Sequence, residues 1–463
     1  MKFKQMTVFS VLLFSLFSFH SMAGTEVFPG NEAIELPNQP TLADYVAYAV
    51  AKSPSLKVAY NEWMAQTETV EQAGYLPDPM IEYKYFIEEV ETRVGPQKQS
   101  IGVSQAFPWF GELEIKSNIA SKISQAYAQK YEAFRFELEH QVSSAYFEYF
   151  YIQKALEITE ANTKLLKYIE NVALNLYRVG SKSRANLIQS QVETLKLDDM
   201  LSELQEKNDL VKAKFNTLLD RDIQQDIFIE KSPAFYNIDI SEDQIIAIAQ
   251  SSNPQIASLA SNISGKREGI ELAKRSYYPD FKLGLSYIDT GDSIYSDPSD
   301  NGKDPVIASI SLTIPLWQDK YASGVREAKK RYYAAVNMHN DSVNRLEYDI
   351  KEALFDYRNS TRKIELYGQS LLPQAFQSVK VLEQGFRAGE RDFTEFANSQ
   401  RLMLEFLLSY YRSVADKAIA VSKIKMLTGG KLPMSEYELP QITGIDEFES
   451  SFNSAEKGTE DEK

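Results

Sequence analysis

Apolar and polar positions along this 463-residue chain follow two periods in turn, and the order of the two is repeated. From Val306 to Ile314 the period is two: Val306, Ala308, Ile310, Leu312 and Ile314 share one face, and Ser309, Ser311 and Thr313 the other. Phe281, Leu283, Leu285 and Tyr287 alternate with Lys282, Gly284 and Ser286. Earlier in the chain, Ile81, Tyr83, Tyr85 and Ile87 alternate with Glu82 and Lys84. Ile101, Val103 and Phe107 oppose Lys98, Gly102 and Ser104, with Gln105 interrupting the apolar face. Segments of about ten residues, apolar on one side and small or charged on the other, suit strands with lipid outside and water inside. They also suit a half-buried hairpin of a soluble domain. The pattern predicts strands at about 79–90, 97–107, 280–289 and 305–315.

Elsewhere the period is helical. Helix pattern runs from about Glu112 to Tyr177 and from about Asp319 to Phe386, each on the order of 100 Å long. Helices of about Ala185–Leu219 and Asp392–Leu427 follow them. One seam reads Leu197, Leu201, Leu204, Asn208, Val211, Phe215, Leu218, and the other Met403, Leu407, Tyr410, Val414, Lys417, Val421, Ile424. Spacings of four and three are those of coiled coils.

The landmarks between these segments recur in order. Ser53-Pro54, Leu76-Pro77-Asp78 and Phe107-Pro108-Trp109 are answered by Asn253-Pro254, Tyr278-Pro279-Asp280 and Ile314-Pro315-Leu316-Trp317. Tyr177-Arg178-Val179-Gly180 is answered by Phe386-Arg387-Ala388-Gly389, with Gln191 and Gln400 at the same distance beyond. Ordered landmarks at near-constant spacing indicate a duplicated helix–hairpin–helix unit. The first repeat takes 24–230 and the second 241–430; 431–463 turns acidic and is expected to be disordered. Residues 1–23, with Lys2, Lys4, an apolar run from Val8 to Phe19 and Ser21-Met22-Ala23, have the form of a signal peptide.

The strand ends next to the helices are aromatic: Tyr75, Trp109, Phe110, Tyr277, Tyr278 and Trp317. Such rings favour a membrane interface. The opposite ends are polar loops, one with Glu88, Glu89, Glu91 and Arg93, the other with Asp289, Asp292, Asp297, Asp300 and Asp304. Their spacing does not match an EF-hand, so a solvated loop is favoured over a weak divalent-ion contact.

Composition narrows the function. Without Lys2 and Lys4 the formal charge falls from −15 to −17, against nucleic-acid binding through a net basic surface. There is no cysteine, and His140 and His339 lie far apart in helix-patterned sequence, where both are expected to be solvated bystanders. No soft-metal site or cofactor is encoded, and no nucleotide loop, metalloprotease helix or nucleophile elbow occurs, so the chain does not read as an enzyme. Four strands cannot close a membrane barrel, because open edges leave backbone groups unpaired in hydrocarbon. Three copies, giving twelve strands, would leave a conducting interior, whereas eight strands are filled by side chains.

These residues resemble the TolC-like outer-membrane efflux channels over about 41–430. The resemblance rests on the paired Pro and Pro-Asp landmarks, on Gln105-Ala106-Phe107-Pro108-Trp109-Phe110-Gly111 and on the two glycine turns. It implies a mainly α fold with a transmembrane β-barrel: a homotrimer whose twelve-stranded barrel continues into a long periplasmic α-helical barrel. It implies a passive duct in the cell outer membrane, against outer-membrane lipid, working with an inner-membrane pump and a periplasmic adaptor. The Phe-Pro-Trp-Phe-Gly exit is similar to members of the cation-efflux branch. In such channels the inner helices close the periplasmic end just after the second glycine turn. Arg391 falls at the gate-locking arginine, Glu395 at the first constricting carboxylate and Asn398 at the second; Asn186 falls at the acidic partner of the lock. Without the resemblance, Arg391 and Glu395 are an i, i+4 surface pair worth a few tenths of a kcal/mol. Gly180, Gly389, Arg178 and Arg387, at the tips of the longest helices, are the expected adaptor contacts. A duct for type I protein secretion is the alternative, and a soluble periplasmic coiled-coil scaffold explains the helices but not the strands.

Overall fold

The computed structural model describes residues 35–294, 299–440 and 442. The leader expected at 1–23, Asp297 and most of the acidic end lie outside the described residues. Each repeat opens on two short helices. In the first these are α1 (Leu42–Lys52) and α2 (Pro54–Gly74). Thr41 and Asp44 cap α1 reciprocally, and Ser53 caps α2 by accepting the Leu56 N–H, with Pro54 in the first turn. The hairpin β1 (Met80–Val90) and β2 (Gln97–Phe107) follows, then α3 (Glu112–Arg178) and α4 (Arg184–Leu218). A short strand, β3 (Phe235–Ile238), leads into the second repeat.

There α5 (Glu242–Ser252), capped by Ser241 and Gln244, and α6 (Pro254–Arg275), capped by Asn253, repeat the opening. Strands β4 (Phe281–Thr290) and β5 (Val306–Leu312) follow. The long helix α7 (Gln318–Glu365) passes through a π-turn at Leu366–Leu371 into α8 (Leu372–Arg387), and α9 (Phe393–Leu427) returns. One unbroken helix was expected there. Pro373 has no N–H to give and its ring crowds the preceding turn, so the backbone takes one extra residue, with the Leu372 N–H reaching Tyr367 O.

All four long strands form one antiparallel sheet in the order β1-β2-β4-β5. Its cross-strand rows keep the two faces apart. Ile81, Val103, Leu285 and Ala308 lie opposite one another, as do Tyr83, Ile101, Tyr287 and Val306. On the other face run Met80, Ser104, Gly284 and Ser309. The apolar rows are uncovered, Ile81 at 65% and Ile310 at 69%. An apolar sheet face of this extent is a surface for lipid, not for water. Gln105, the polar break in that face, turns its amide to Pro77 O at 2.6 Å and Ala106 O at 2.9 Å. Among the described residues no helix is long and apolar enough to cross a membrane.

The helices carry the core. α3, 67 residues and about 100 Å long, packs along α2, α4, α6 and α9. All seven positions of the second seam, from Met403 to Ile424, are buried, because α9 lies between α3 and α7. The first seam is looser: Leu197, Leu204 and Phe215 are buried, and Leu201, Asn208, Val211 and Leu218 half-buried. Gln400, the repeat partner of exposed Gln191, is buried and donates to Asn162 of α3. A buried amide pair of this kind fixes the register of two helices.

Two expectations are corrected. Disorder does not begin at 431. Strand β6 (Met434–Tyr437) pairs antiparallel with β3, and Leu432 and Ile442 are buried. Apolar residues spaced among the acids dock on the helical middle, which composition alone averages away. His140 is not a solvated bystander: its Nδ1 meets Ser422 Oγ of α9 at 3.1 Å, and burial holds its pKa below the ordinary value.

Lys417 occupies a core position of the α9 seam at 2% exposure. Its ammonium donates to Asn237 Oδ1 of β3 at 2.7 Å and lies 3.5 Å from the Tyr437 ring centroid of β6, with Tyr357 of α7 also beside it. It therefore joins α9 to both strands of the small sheet. Burial pulls its pKa down to about 8, opposed by Glu365. Below that value the lysine is charged in both states and the folded state carries the desolvation penalty. Between about 8 and the ordinary 10.5 the folded protein releases the proton first, so stability rises with pH. The parent should gain on Lys417→Met between pH 7.5 and 9.5, by at most about 1.4 kcal/mol per pH unit. Thermal unfolding of both across that range checks it; parallel stability curves would refute it.

Candidate channel surfaces and gate

The two helix tips farthest from the sheet are built alike, bond for bond. Gly180 has φ +75 and Gly389 φ +78, a backbone region that glycine enters without strain. At the first tip the Gly180 N–H donates to Tyr177 O at 3.0 Å and Ser181 N–H to Leu176 O at 2.9 Å. At the second, Gly389 N–H donates to Phe386 O at 3.0 Å and Glu390 N–H to Gly385 O at 2.9 Å. This is the Schellman arrangement, which satisfies the last carbonyls of a helix and reverses the chain. Arg178 and Arg387 are the last residues of their helices, where a cation faces the negative end of the dipole. Arg387 also lies 3.6 Å from Glu383 and over the Tyr168 ring. Burial raises the Glu383 pKa, and Arg387 offsets part of that rise.

Arg391 and Glu395 come together at 3.5 Å, both well exposed, on the first turn beyond the second tip. The stem of Arg391 crosses Gly385 so closely that a Cβ there would sit 2.6 Å from its Cγ. Asn398 lies one turn on and accepts from Arg401 at 3.2 Å. The bond that joins the two tips was not anticipated. Lys182 Nζ, at the repeat position of Arg391, meets Asp392 Oδ1 at 3.3 Å, and Thr394 donates to Gln189 at 2.8 Å. The signal was present in the repeat itself, which aligns Lys182 with Arg391, but a lysine in a polar turn does not announce its partner.

At the other end, some of the interface aromatics form one cluster. Trp109 stacks on Tyr278 at 5.2 Å, Phe107 on Phe281 at 5.2 Å, and Phe110 contacts both Trp109 and Phe281. Tyr277 joins Tyr321 instead, at 5.6 Å. Tyr75 and Trp317 are exposed, at 71% and 73%. Beyond the sheet the two outer loops are tied together: Gly291 N–H donates to Pro96 O and Gly302 N–H to Val94 O, both at 2.7 Å. Asp304 receives the Thr290 N–H at 2.8 Å and the Tyr287 hydroxyl. Among the described residues no group of three or more His, Cys, Asp or Glu is placed to hold a metal.

Residues 245–430 match the family model described as outer membrane efflux protein. The first repeat lies outside that match and has the same order of two helices, two strands and two long helices. That match covers less than half of the chain, so it shows a similarity to this family in the second repeat. No curated protein matches the sequence. Among solved structures, VceC of Vibrio cholerae superposes with a TM-score of 0.70 at 15% identity, over 84% of this chain and 96% of that one. CusC, described in terms of transmembrane channel formation, gives 0.69 at 14%, over 88% and 96%. The open state of the MtrE outer membrane channel of Neisseria gonorrhoeae gives 0.67 at 15%, over 85% and 89%. At these identities the superpositions establish the fold.

At both tips an alanine would meet little: nothing lies within 4 Å of a Cβ at Gly180, and only Ser181 Oγ, at 3.4 Å, at Gly389. Strain at positive φ is then the whole effect. Gly180→Ala and Gly389→Ala should each cost about 1 kcal/mol locally. Amide exchange at Ser181 and Glu390 should accelerate roughly fivefold, with the helix centres unchanged. Unaltered exchange at both amides would contradict the strain argument.

Proposed function

We propose that three copies of this chain close a twelve-stranded barrel and form a passive duct that carries substrates from an inner-membrane pump, through a periplasmic adaptor, to the exterior. One observation carries the reading: an open four-stranded sheet, lipid-suited on one face and small or charged on the other, set at the end of helices about 100 Å long. Three such sheets satisfy the edges and leave a lumen lined by the Met80–Ser104–Gly284–Ser309 face. The glycine tips, with Arg178 and Arg387, are the surface offered to the adaptor. The Phe107–Gly111 exit, similar to members of the cation-efflux branch, favours a cation-exporting system over protein secretion.

Arg391, Glu395 and Asn398 are assigned to the periplasmic gate. Three copies of Glu395 about a narrow axis make a ring of like charge, and carboxylate rings favour cations. Arg391, one turn earlier, offsets that charge and holds neighbouring helices. With Asn398 in place of a second carboxylate, selectivity should be weaker than in a two-ring gate. In planar bilayers, Glu395→Gln should lower cation preference, and Arg391→Ser should raise resting conductance. If both variants conduct like the parent with the same ion preference, the gate lies elsewhere on the tube. If detergent-solubilised protein sediments as a monomer with full strand content, the trimeric duct itself is wrong.

A further inference from the structure

Within the chain the two repeats meet at one seam, where β2 of the first repeat pairs with β4 of the second. The repeat carries that seam onto the two free edges of the sheet. A shift of 207 residues takes Pro108 onto Pro315, and so β2 onto β5. A shift of 202 takes Pro77 onto Pro279, and so relates β1 to β4. In the seam, Phe107 lies opposite Phe281, Gln105 opposite Leu283, Val103 opposite Leu285 and Ile101 opposite Tyr287.

Resting on the trimeric reading above, we propose that β5 of one copy pairs with β1 of the next in the register of this internal seam. Leu312 then lies opposite Ile81, Ile310 opposite Tyr83, Ala308 opposite Tyr85 and Val306 opposite Ile87. We further propose that the Asp78 carboxylate of one copy accepts the Leu316 N–H of its neighbour.

The partner is a second copy, and two observations argue for this register. The first is face matching. Nothing in the two shifts obliges the apolar row of β5 to meet the apolar row of β1, yet each shift carries the outward row of one strand onto the outward row of its counterpart. A slip of one residue would set Ser309 and Ser311 against the lipid-facing tyrosines and isoleucines and invert one strand. In the transferred register the hydroxyls meet charge on the water side instead: Ser309 opposite Lys84 and Ser311 opposite Glu82, which are themselves paired at 2.9 Å.

The second is the tie at the end of the seam. Asp280 binds both strands flanking β4. Its Oδ1 accepts the Trp109 N–H at 3.0 Å, where β2 leaves the sheet, and its carbonyl accepts the Thr313 N–H at 2.9 Å. Trp109 follows Pro108 as Leu316 follows Pro315, and Asp78 follows Pro77 as Asp280 follows Pro279. Asp78 is exposed at the start of the free edge. The Leu316 N–H donates to Ile314 O at 3.0 Å, a local three-residue turn that it exchanges for a charge-assisted bond on assembly. The second Pro-Asp landmark thus ties repeat to repeat, and the first ties copy to copy.

The chain has no cysteine, so paired substitutions give an unambiguous readout. β1 and β5 are the outer strands of the sheet, so a disulfide between them joins separate copies. Three double variants are compared after mild oxidation in membranes: Lys84→Cys with Ser309→Cys, and the displaced pairs Glu82→Cys with Ser309→Cys and Phe86→Cys with Ser309→Cys. Directly opposed residues reach disulfide geometry and diagonal ones do not. The in-register pair should yield covalent dimers and trimers at least about tenfold more efficiently than either displaced pair. Equal or better linking by a displaced pair, or no linking by any pair in protein that still sediments as a trimer, overturns the register and leaves the duct standing. Monomers in sedimentation of the parent overturn the duct itself. For the tie, Asp78→Ala should lower the temperature at which trimers dissociate on gels, and Asp78→Asn, which keeps an acceptor oxygen, should restore part of the loss. Dissociation of both variants at the parent's temperature refutes it. Should Asp78→Ala give no trimer at all, recovery of trimer by Asp78→Asn supports the tie and failure of that recovery counts against it.

Discussion

Backbone amides and carbonyls at a strand edge cannot be left bare in hydrocarbon, and the structure is arranged around that constraint. β1 and β5 are such edges, on a sheet whose apolar rows face outward. One chain can satisfy neither edge. Water offers no shelter either, because the exposed rows carry Tyr83, Tyr85, Ile81, Ile310 and Leu312. The proposed closed ring of sheets suits both the edges and the faces. In that ring the helices would continue the barrel, since each strand joins a helix within a few residues through a proline.

The proposed tube, on the order of 100 Å long, needs a girdle as well as end seams. The small β3–β6 sheet supplies one within each chain. It joins the linker between the repeats to the segment after α9, and Lys417 fixes it to the seam of α9 through Asn237 and Tyr437. A leucine at 417 would pack as well along the helix but would not specify which strand lies over it. The buried Gln400–Asn162 pair acts in the same way between α9 and α3. Both spend some stability on desolvated polar groups, and both act where long parallel ridges could otherwise slide by a turn.

The hairpins were legible because period two is a strong signal when one face is mostly apolar, and the helix ends because Pro77, Pro279, Gly180 and Gly389 act through backbone geometry alone. The π-turn before Pro373 was missed because a proline inside a helical pattern can be met by a kink, a break or an extra residue, and packing decides which. Strand β6 was missed because four residues of mixed polarity carry no period, and pairing with β3 is a tertiary fact. His140 was misjudged because its neighbours in sequence are charged while its neighbour in space, Ser422, is not. At the tips, the sequence located Arg391 and Glu395, but Lys182–Asp392 spans the two repeats and depends on how the turns sit side by side.

The strengths of those tip contacts bear on how the proposed gate would work. Arg391–Glu395 is exposed on both sides, and Lys182–Asp392 on the Asp392 side. Pairs of this kind contribute about 0–1 kcal/mol each and weaken with salt. Arg391–Glu395 lies within one helix turn, so in the proposed trimer it is three copies of Lys182–Asp392 that would tie the tips, by no more than a few kcal/mol, a difference that binding a partner at the adjacent glycine tips can supply. A buried, fully paired lock would hold more tightly, but breaking it would leave desolvated charges and demand far more. Exposed, salt-sensitive pairs at the tips, backed by the buried girdle around Lys417, would place the compliance of the proposed tube at its tip end and its rigidity in the middle. That is the distribution a passive duct requires if its partner, and not its cargo, is to open it.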